Sequence, residues 1–309
     1  MAPNNITGLG SLAGLGVFTA VAPPPAGAGF FAGGSNNGTA VDKFTFADDT
    51  RSTLTATLSV AKQQFAGMAN SGVAGYVGGG TGGSNYATVE KFAFVNDAKT
   101  NLATGLSSAT YGLAAMANSG TAGYFGGGTI STQTNVIQKF AFSNDSRSTL
   151  AATLSFARAY LAGMANSGTA GYFGGGYSNA NGGAFDRVDK LSFSNDSVSS
   201  LGTGLSAART ELGAMANSGT AGYFGGGSTT TVNKFAFSND SRTTLATGLS
   251  GARSNLAGMA KSGTAGYFGG GASAVVDKFA FSNDGRSSLA TGLTVSNSSQ
   301  ASFANSGTL

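Results

Sequence analysis

The side chains able to do chemistry in this chain are its carboxylates, its ammonium and guanidinium groups and its 9 tyrosines, because histidine and cysteine are both absent. Their absence removes Ser-His-Asp triads, thiolate nucleophiles, imidazole and thiolate metal ligands, and disulfides. Hydrolysis by a carboxylate pair remains, and it needs two acids held within about 10 Å across one bond. Most of the 13 acids, however, recur at fixed places. They stand in Asp48-Asp49, Asn96-Asp97, Asn144-Asp145, Asn195-Asp196, Asn239-Asp240 and Asn283-Asp284, or directly before Lys43, Lys91, Lys190 and Lys278. Asp186 and Glu211 are the unrepeated pair, and nothing in their spacing brings them together. The acidic dipeptides lack the Asp-x-Asp-x-Asp-Gly pattern of a calcium loop and read as turn caps. The Gly-Gly-Gly runs lack the following helix and Lys-Ser/Thr of a phosphate loop. We expect no enzyme activity, no metal and no cofactor.

Binding is the chemistry left, and tyrosine is the residue suited to it: a flat apolar ring with a hydroxyl serves a sugar or a protein surface. Five tyrosines belong to a repeated segment described below. The other four, Tyr86, Tyr111, Tyr160 and Tyr177, stand outside it, near the unrepeated polar residues Gln63, Gln64, Gln133, Asp186, Arg187 and Glu211. Tyr86, Tyr111, Tyr160, Tyr177, Asp186, Arg187 and Glu211 form the candidate ligand-binding set.

The elements that must position these residues come from an internal repeat. Gly-Tyr-Phe-Gly-Gly-Gly or a near copy begins at Gly29, Gly75, Gly123, Gly171, Gly222 and Gly266, a spacing in the range of propeller blades. A Phe-x-Phe unit follows each copy, from Phe44/Phe46 to Phe279/Phe281 with Leu191/Phe193 in the fourth, and its alternation reads as a strand. After the acidic turn comes a strand carrying Leu54, Leu102, Leu150, Leu201, Leu245 or Leu289. The next runs through Met68, Met116, Met164, Met215 or Met259 into Asn-Ser-Gly, with Lys261 replacing Asn in the last, and reads as a hairpin. The repeat is thus four short antiparallel strands. With 51 glycines and few charges the composition alone would suit a linker, but the ordered apolar series argues for a packed fold.

The chain ends in Ala301-Ser302-Phe303-Ala304-Asn305-Ser306-Gly307-Thr308-Leu309, which repeats the Met strand with Phe303 in the Met position. Residues from Gly29 begin with the strand that this copy lacks. We therefore expect an all-β, six-bladed propeller in which the C-terminal strand pairs with the N-terminal blade, leaving no open edge. Val17–Val21 is a rival for the closing inner strand. The paired glycines after an aromatic strand, as in Tyr124-Phe125-Gly126-Gly127-Gly128, resemble the kelch double glycine. The Phe-x-Phe-x-Asn-Asp segment and Arg158, Arg209 and Arg253 also fall where kelch repeats have theirs, across Gly29–Leu309. The resemblance implies a kelch-type blade whose Met strand is innermost. It departs at the leucine of the outer strand, where kelch has tryptophan, so nothing beyond the fold is carried over. In such a blade the variable connections emerge on one face of the disc, and with them all four candidate tyrosines.

Residues 1–28 read as a Gly/Pro-rich arm and a possible anchor, and residues 29–309 as the propeller. Lys and Arg are dispersed, so the surplus of +4 makes no basic patch and no nucleic-acid partner is expected. The N-terminus lacks the basic start of a secretory signal, and no apolar stretch is long enough to enter a membrane. Gly/Ser/Thr/Asn-rich, Cys-free chains with near-identical kelch repeats resemble bacteriophage virion proteins. That resemblance implies a virion component made in the host cytoplasm, docking to other virion proteins through its arm and binding a host surface glycan or a protein through the variable face. A capsid or tail decoration without receptor binding, and a bacterial cell-surface adhesion protein, are the alternatives.

Overall fold

The short spans between turn signals, each with two buried faces, leave room only for strands of a few residues. The computed structural model describes residues 27–306, and among them there is no helix. Six four-stranded antiparallel sheets form the blades of a propeller. From the axis outward, blade 1 is Ala301–Asn305, Ala28–Ala32, Val41–Thr45 and Arg51–Thr53. Blade 2 is Ala66–Asn70, Ala74–Gly78, Val89–Ala93 and Lys99–Asn101, and blade 3 is Ala114–Asn118, Ala122–Gly126, Ile137–Ala141 and Ser146–Thr149. Blade 4 comprises Ala162–Asn166, Ala170–Gly174, Val188–Ser192 and Val198–Ser200. Blade 5 comprises Leu212–Asn217, Ala221–Gly226, Val232–Ala236 and Arg242–Thr244, and blade 6 Leu256–Lys261, Ala265–Gly270, Val276–Ala280 and Gly285–Ser288.

The ring closes with strands from both ends of the chain. Ala301–Asn305 pairs with Ala28–Ala32 in the register Ala28↔Asn305 to Ala32↔Ala301, which sets Phe303 opposite Phe30. The rival Val17–Val21 and almost all of the expected arm lie outside the described residues.

Blades are joined through side chains of the repeat. In each Gly-Tyr-Phe strand the glycine makes room for a side chain from the preceding blade: a Cβ on Gly123 would overlap Met68, and one on Gly75 would overlap Phe303. In blades 2 to 6 the glycine two residues after the tyrosine does the same toward the following blade, Gly126 receiving Phe173 and Gly269 receiving Phe31. The tyrosines Tyr76, Tyr124, Tyr172, Tyr223 and Tyr267 are buried and stack on the second Phe of the next blade's Phe-x-Phe unit, as Tyr76 does on Phe142 at 5.1 Å. Their hydroxyls donate to the Asp of that blade's turn, Tyr76 to Asp145 at 2.9 Å and Tyr267 to Asp49 at 2.8 Å. The lysine beside each tyrosine takes the other carboxylate oxygen, Lys91 to Asp145 at 2.8 Å and Lys278 to Asp49 at 2.6 Å. So the turn dipeptide divides its work. Asn144 accepts from the backbone two residues on, a side-chain-capped turn, while Asp145 adopts a left-handed backbone and ties two blades together.

The Asn-Ser-Gly hairpins are ties as well. The Gly120 N–H donates to the Asn70 side chain (2.8 Å), and Gly168 to Asn118, Gly219 to Asn166, Gly263 to Asn217 and Gly72 to Asn305 in the same way. The serines link in the opposite sense, the Ser71 N–H donating to Ser119 Oγ (2.9 Å) and Ser119 to Ser167. The outer strands differ from expectation: each is a short polar segment, and its repeated leucine lies just past the end. Leu54 still donates its N–H to Val41, so the leucine completes the ladder while turning inward beneath the blade. A second repeated leucine, Leu58, Leu106, Leu154, Leu205, Leu249 and Leu293, is fully buried and forms part of the core between blades.

Candidate functional site

The constant hairpins and acidic turns occupy one face of the disc, and the connections that vary in length occupy the other. Between second and third strands, residues 79–88, 127–136 and 175–187 make tall loops over blades 2, 3 and 4, while residues 227–231 and 271–275 are short. The tall loops are bridged to the segments entering their blades, Gln63 with Thr81, Tyr111 with Thr129 and Ala159 with Tyr177.

Beneath these loops lies a fixed base. Arg158, Arg209 and Arg253 are buried, and Arg253 donates to the carbonyls of Gly270 and Val275 (both 2.9 Å) at the root of its loop and pairs with Asp277. Arg158 pairs with Asp189 (3.2 Å), and blade 2 uses Lys62 with Glu90 (2.9 Å), both side chains fully buried. In blade 5 the acid is replaced by Asn233, so Arg209 is a buried cation held by an amide and by the Gly226 and Thr231 carbonyls. Its burial draws the guanidinium down to about 10.

At the axis, the residues preceding the six inner strands form a closed ring of backbone hydrogen bonds. The Gln64 N–H donates to Ser299 C=O (2.8 Å), Ser299 to Asn255 (2.8 Å) and Asn255 to Glu211 (2.7 Å). Glu211 donates to Tyr160 (2.8 Å), Tyr160 to Gly112 (2.6 Å) and Gly112 back to Gln64 (2.7 Å). All six have a positive φ, between 55° and 63°. Glycine takes that conformation freely, whereas each other residue costs about 1 kcal/mol. Only Gly112 is glycine, in a chain that has 51 of them. The ring floors a shallow recess of about 400 Å³ including its open mouth, above a collar of Phe65, Leu113, Leu161, Leu212 and Leu256. Here five different polar side chains occupy equivalent positions inside a frame that otherwise repeats.

Two members of the candidate set, Tyr160 and Glu211, line this recess, and a third, Tyr111, stands beside Tyr160. Tyr160 lies over Gly112, where a Cβ would come 3.1 Å from its ring, and the Tyr111 ring is 6.4 Å from it, centroid to centroid. Burial, then Tyr111 and the Glu211 carboxylate, push the Tyr160 hydroxyl above its usual range, so it stays protonated in neutral solution. Tyr111 also lines a groove of about 820 Å³, its open side included, with Thr129, Gln133, Ser178 and Asn179, between the loops of blades 3 and 4. Tyr177 is 36% exposed on the taller of those loops.

The others do not join this cluster. Tyr86 donates its hydroxyl to Gly82 C=O (3.0 Å) within its own loop. The Arg187 guanidinium covers the Phe156 ring at 4.9 Å, and Phe156 stacks on Phe185 at 5.4 Å, so Arg187 braces its loop. Asp186 is exposed, and among the described residues it pairs with neither Arg187 nor Glu211. Sequence reasoning did not single out Gly112, Asn255 or Ser299 and noted Gln64 only as a neighbour. Superimposing the repeats on the residue four positions before each inner-strand Met, or before Phe303, would have exposed them, as a column of the repeat in which every blade differs.

Fold and face together define a six-bladed β-propeller with one diversified surface. No family model matches the chain, and no curated protein matches its sequence.

Proposed function

We propose that this chain is a non-enzymatic recognition module, a structural and adhesion protein of a bacteriophage virion whose variable face binds a host surface glycan or a protein partner. The blades are read as kelch-type on the double glycine that follows each aromatic strand. The observation that carries the reading is the confinement of side-chain diversity to one face: hairpins, turns and blade contacts repeat, while the axial ring and the tall loops do not. A structural role alone gives no reason to accept left-handed Gln, Tyr, Glu, Asn and Ser where glycine is free of strain. Hydroxyl, amide and aromatic groups line the groove beside Tyr111, a chemistry suited to the hydroxyls and apolar patches of sugars.

The point of attachment of the arm favours a second reading alongside the first. Gly27 lies beside Asn305 on the constant face, its carbonyl accepting from the Phe46 N–H (3.0 Å). An arm over residues 1–26 that docks to other virion proteins would therefore leave from the side opposite the variable face.

The test is binding of the purified protein to a glycan array and to intact bacterial cells, with a variant carrying Tyr86→Ser, Tyr111→Ser, Tyr160→Ser and Tyr177→Ser in parallel. Saturable binding by the wild type, lost in a variant that keeps its melting temperature, is the expected outcome. Absence of binding by folded wild-type protein overturns the adhesion reading in favour of a decoration scaffold, for which removal of residues 1–26 would abolish incorporation.

A further inference from the structure

We infer that the axial recess is a binding site for a primary ammonium group, presented by an amino sugar or by a lysine side chain. This rests on reading the variable face as a binding surface, and it adds the ligand chemistry of one site on it. The ring consumes all six of its backbone N–H donors internally, so the ring itself offers a ligand no backbone donor. Each of the six carbonyls accepts one hydrogen bond in the ring; Tyr160 C=O takes a second from Thr210 Oγ1 (3.5 Å), and the other five keep a second lone pair. The side chains around the recess add the carboxylate of Glu211, the Tyr160 hydroxyl and the amides of Gln64 and Asn255, which carry acceptor and donor atoms alike, with no lysine or arginine among the lining residues. Asn255 already accepts from Ser299 Oγ (3.1 Å), which holds its side chain beside the ring. A recess with free carbonyl lone pairs, one uncompensated negative charge and no cationic side chain matches a group with three donors, a positive charge and no acceptor, and that group is an alkylammonium. The apolar collar below suits the carbon next to the nitrogen and disfavours a fully hydrated metal ion.

The left-handed backbone supports the same reading. Glu211 is one of the ring positions where glycine would remove strain, and among the described residues its carboxylate makes no ion pair within the protein. A partly buried charge kept at the cost of backbone strain, with no internal partner, points to an external one.

Calorimetric titration of the full chain with glucosamine, N-acetylglucosamine and Nα-acetyl-lysine amide tests the assignment. Glucosamine, the lysine derivative or both should bind saturably while N-acetylglucosamine, its amine blocked, does not. Whichever ammonium probe binds identifies the source. Glu211→Gln should weaken that binding by about tenfold or more, and Asn255→Asp, which adds a second carboxylate at a left-handed position that Asp tolerates, should strengthen it several-fold. The gain in the second variant keeps the test decisive if the first folds poorly. Equal binding of the acetylated and free amines, an unchanged affinity in both variants, or no binding of either ammonium probe overturns the inference. The adhesion reading has its own readout: cell or glycan binding that survives Glu211→Gln but not the four tyrosine substitutions leaves that reading standing and removes only this one.

Discussion

At the scale of single residues, the informative sites are those where one blade breaks the rule followed by its neighbours. Arg209 is such a site, because Asn233 stands where blades 4 and 6 have Asp189 and Asp277. The surroundings of Asn233 are already those of a carboxylate. Ser206 and Thr244 hydroxyls lie 3.1 Å and 2.9 Å from its amide nitrogen as acceptors, while the equivalent Ser250 and Ser288 donate to Asp277 at 3.0 Å and 2.8 Å. Rotating two hydroxyl protons would therefore let Asn233→Asp accept from the same partners and neutralise the buried guanidinium. We expect that substitution to stabilise the fold by about 1.5–3 kcal/mol, the range for hydrogen bonds to charged groups. Differential scanning calorimetry at neutral pH should show the melting temperature rise by several degrees. The converse substitution Asp277→Asn should lower it. An unchanged or lower melting temperature for Asn233→Asp would mean that the carbonyls of Gly226 and Thr231 already satisfy Arg209.

At the scale of elements, what the sequence makes legible is the periodic part, and it is legible because every blade solves one packing problem. The six glycine-aromatic strands, the turn dipeptides and the inner-strand hairpins stand where spacing alone puts them. Partnership between blades was not legible, since nothing in the spacing says that Asp145 serves Tyr76 and Lys91 of the blade before it, or that Asn70 reaches Gly120 of the blade after it. The axial ring was hidden for a related reason: a left-handed residue announces itself in a sequence mainly when it is Gly or Asn. The clamp of tyrosine, aspartate and lysine has a consequence at high pH. Burial, with the adjoining carboxylate, raises the hydroxyls of Tyr76, Tyr124, Tyr172, Tyr223 and Tyr267, that of Tyr76 to about 12. An acid whose folded pKa exceeds its unfolded value near 10 gives stability that is complete below that value and is lost as the pH rises through the folded one. Unfolding should therefore set in above pH 10, and these tyrosines should ionise together with it. Absorbance of tyrosinate at 295 nm rising in step with loss of the β-sheet circular dichroism would bear this out. Ionisation of the five in protein that keeps its circular dichroism would show that the clamps open without unfolding.

At the scale of the molecule, closure decides whether six small cores behave as one. Each core lies between neighbouring blades: the cluster of Phe30, Phe65, Val77, Phe92, Phe94 and Phe303 takes residues from blades 1 and 2, and the cluster of Phe31, Phe44, Met259 and Tyr267 from blades 6 and 1. Blade 1 thus completes two of the six interfaces, and its inner strand comes from the far end of the chain. Without Ala301–Asn305, the strand Ala28–Ala32 becomes an open edge and Phe30 loses the ring stacked on it at 4.8 Å. Gly75 loses the side chain that fills its place, and Gly67 loses the Ser302 backbone packed against it. The damage reaches blade 2 as well as blade 1, so it spreads around the ring in both directions. Phe303→Ala should cost about 3–5 kcal/mol, as large-to-small core substitutions of phenylalanine do, while leaving the strand paired and the unfolding transition single. Removing residues 301–309 should act differently in kind: the transition broadens, apolar dye binds in native buffer, and the protein associates through its open edge. A synthetic peptide of residues 295–309 added in trans should restore the single transition if strand pairing is what closes the ring. A truncated chain that melts as sharply and at the same temperature as the intact one would show instead that the remaining blades hold the disc without it.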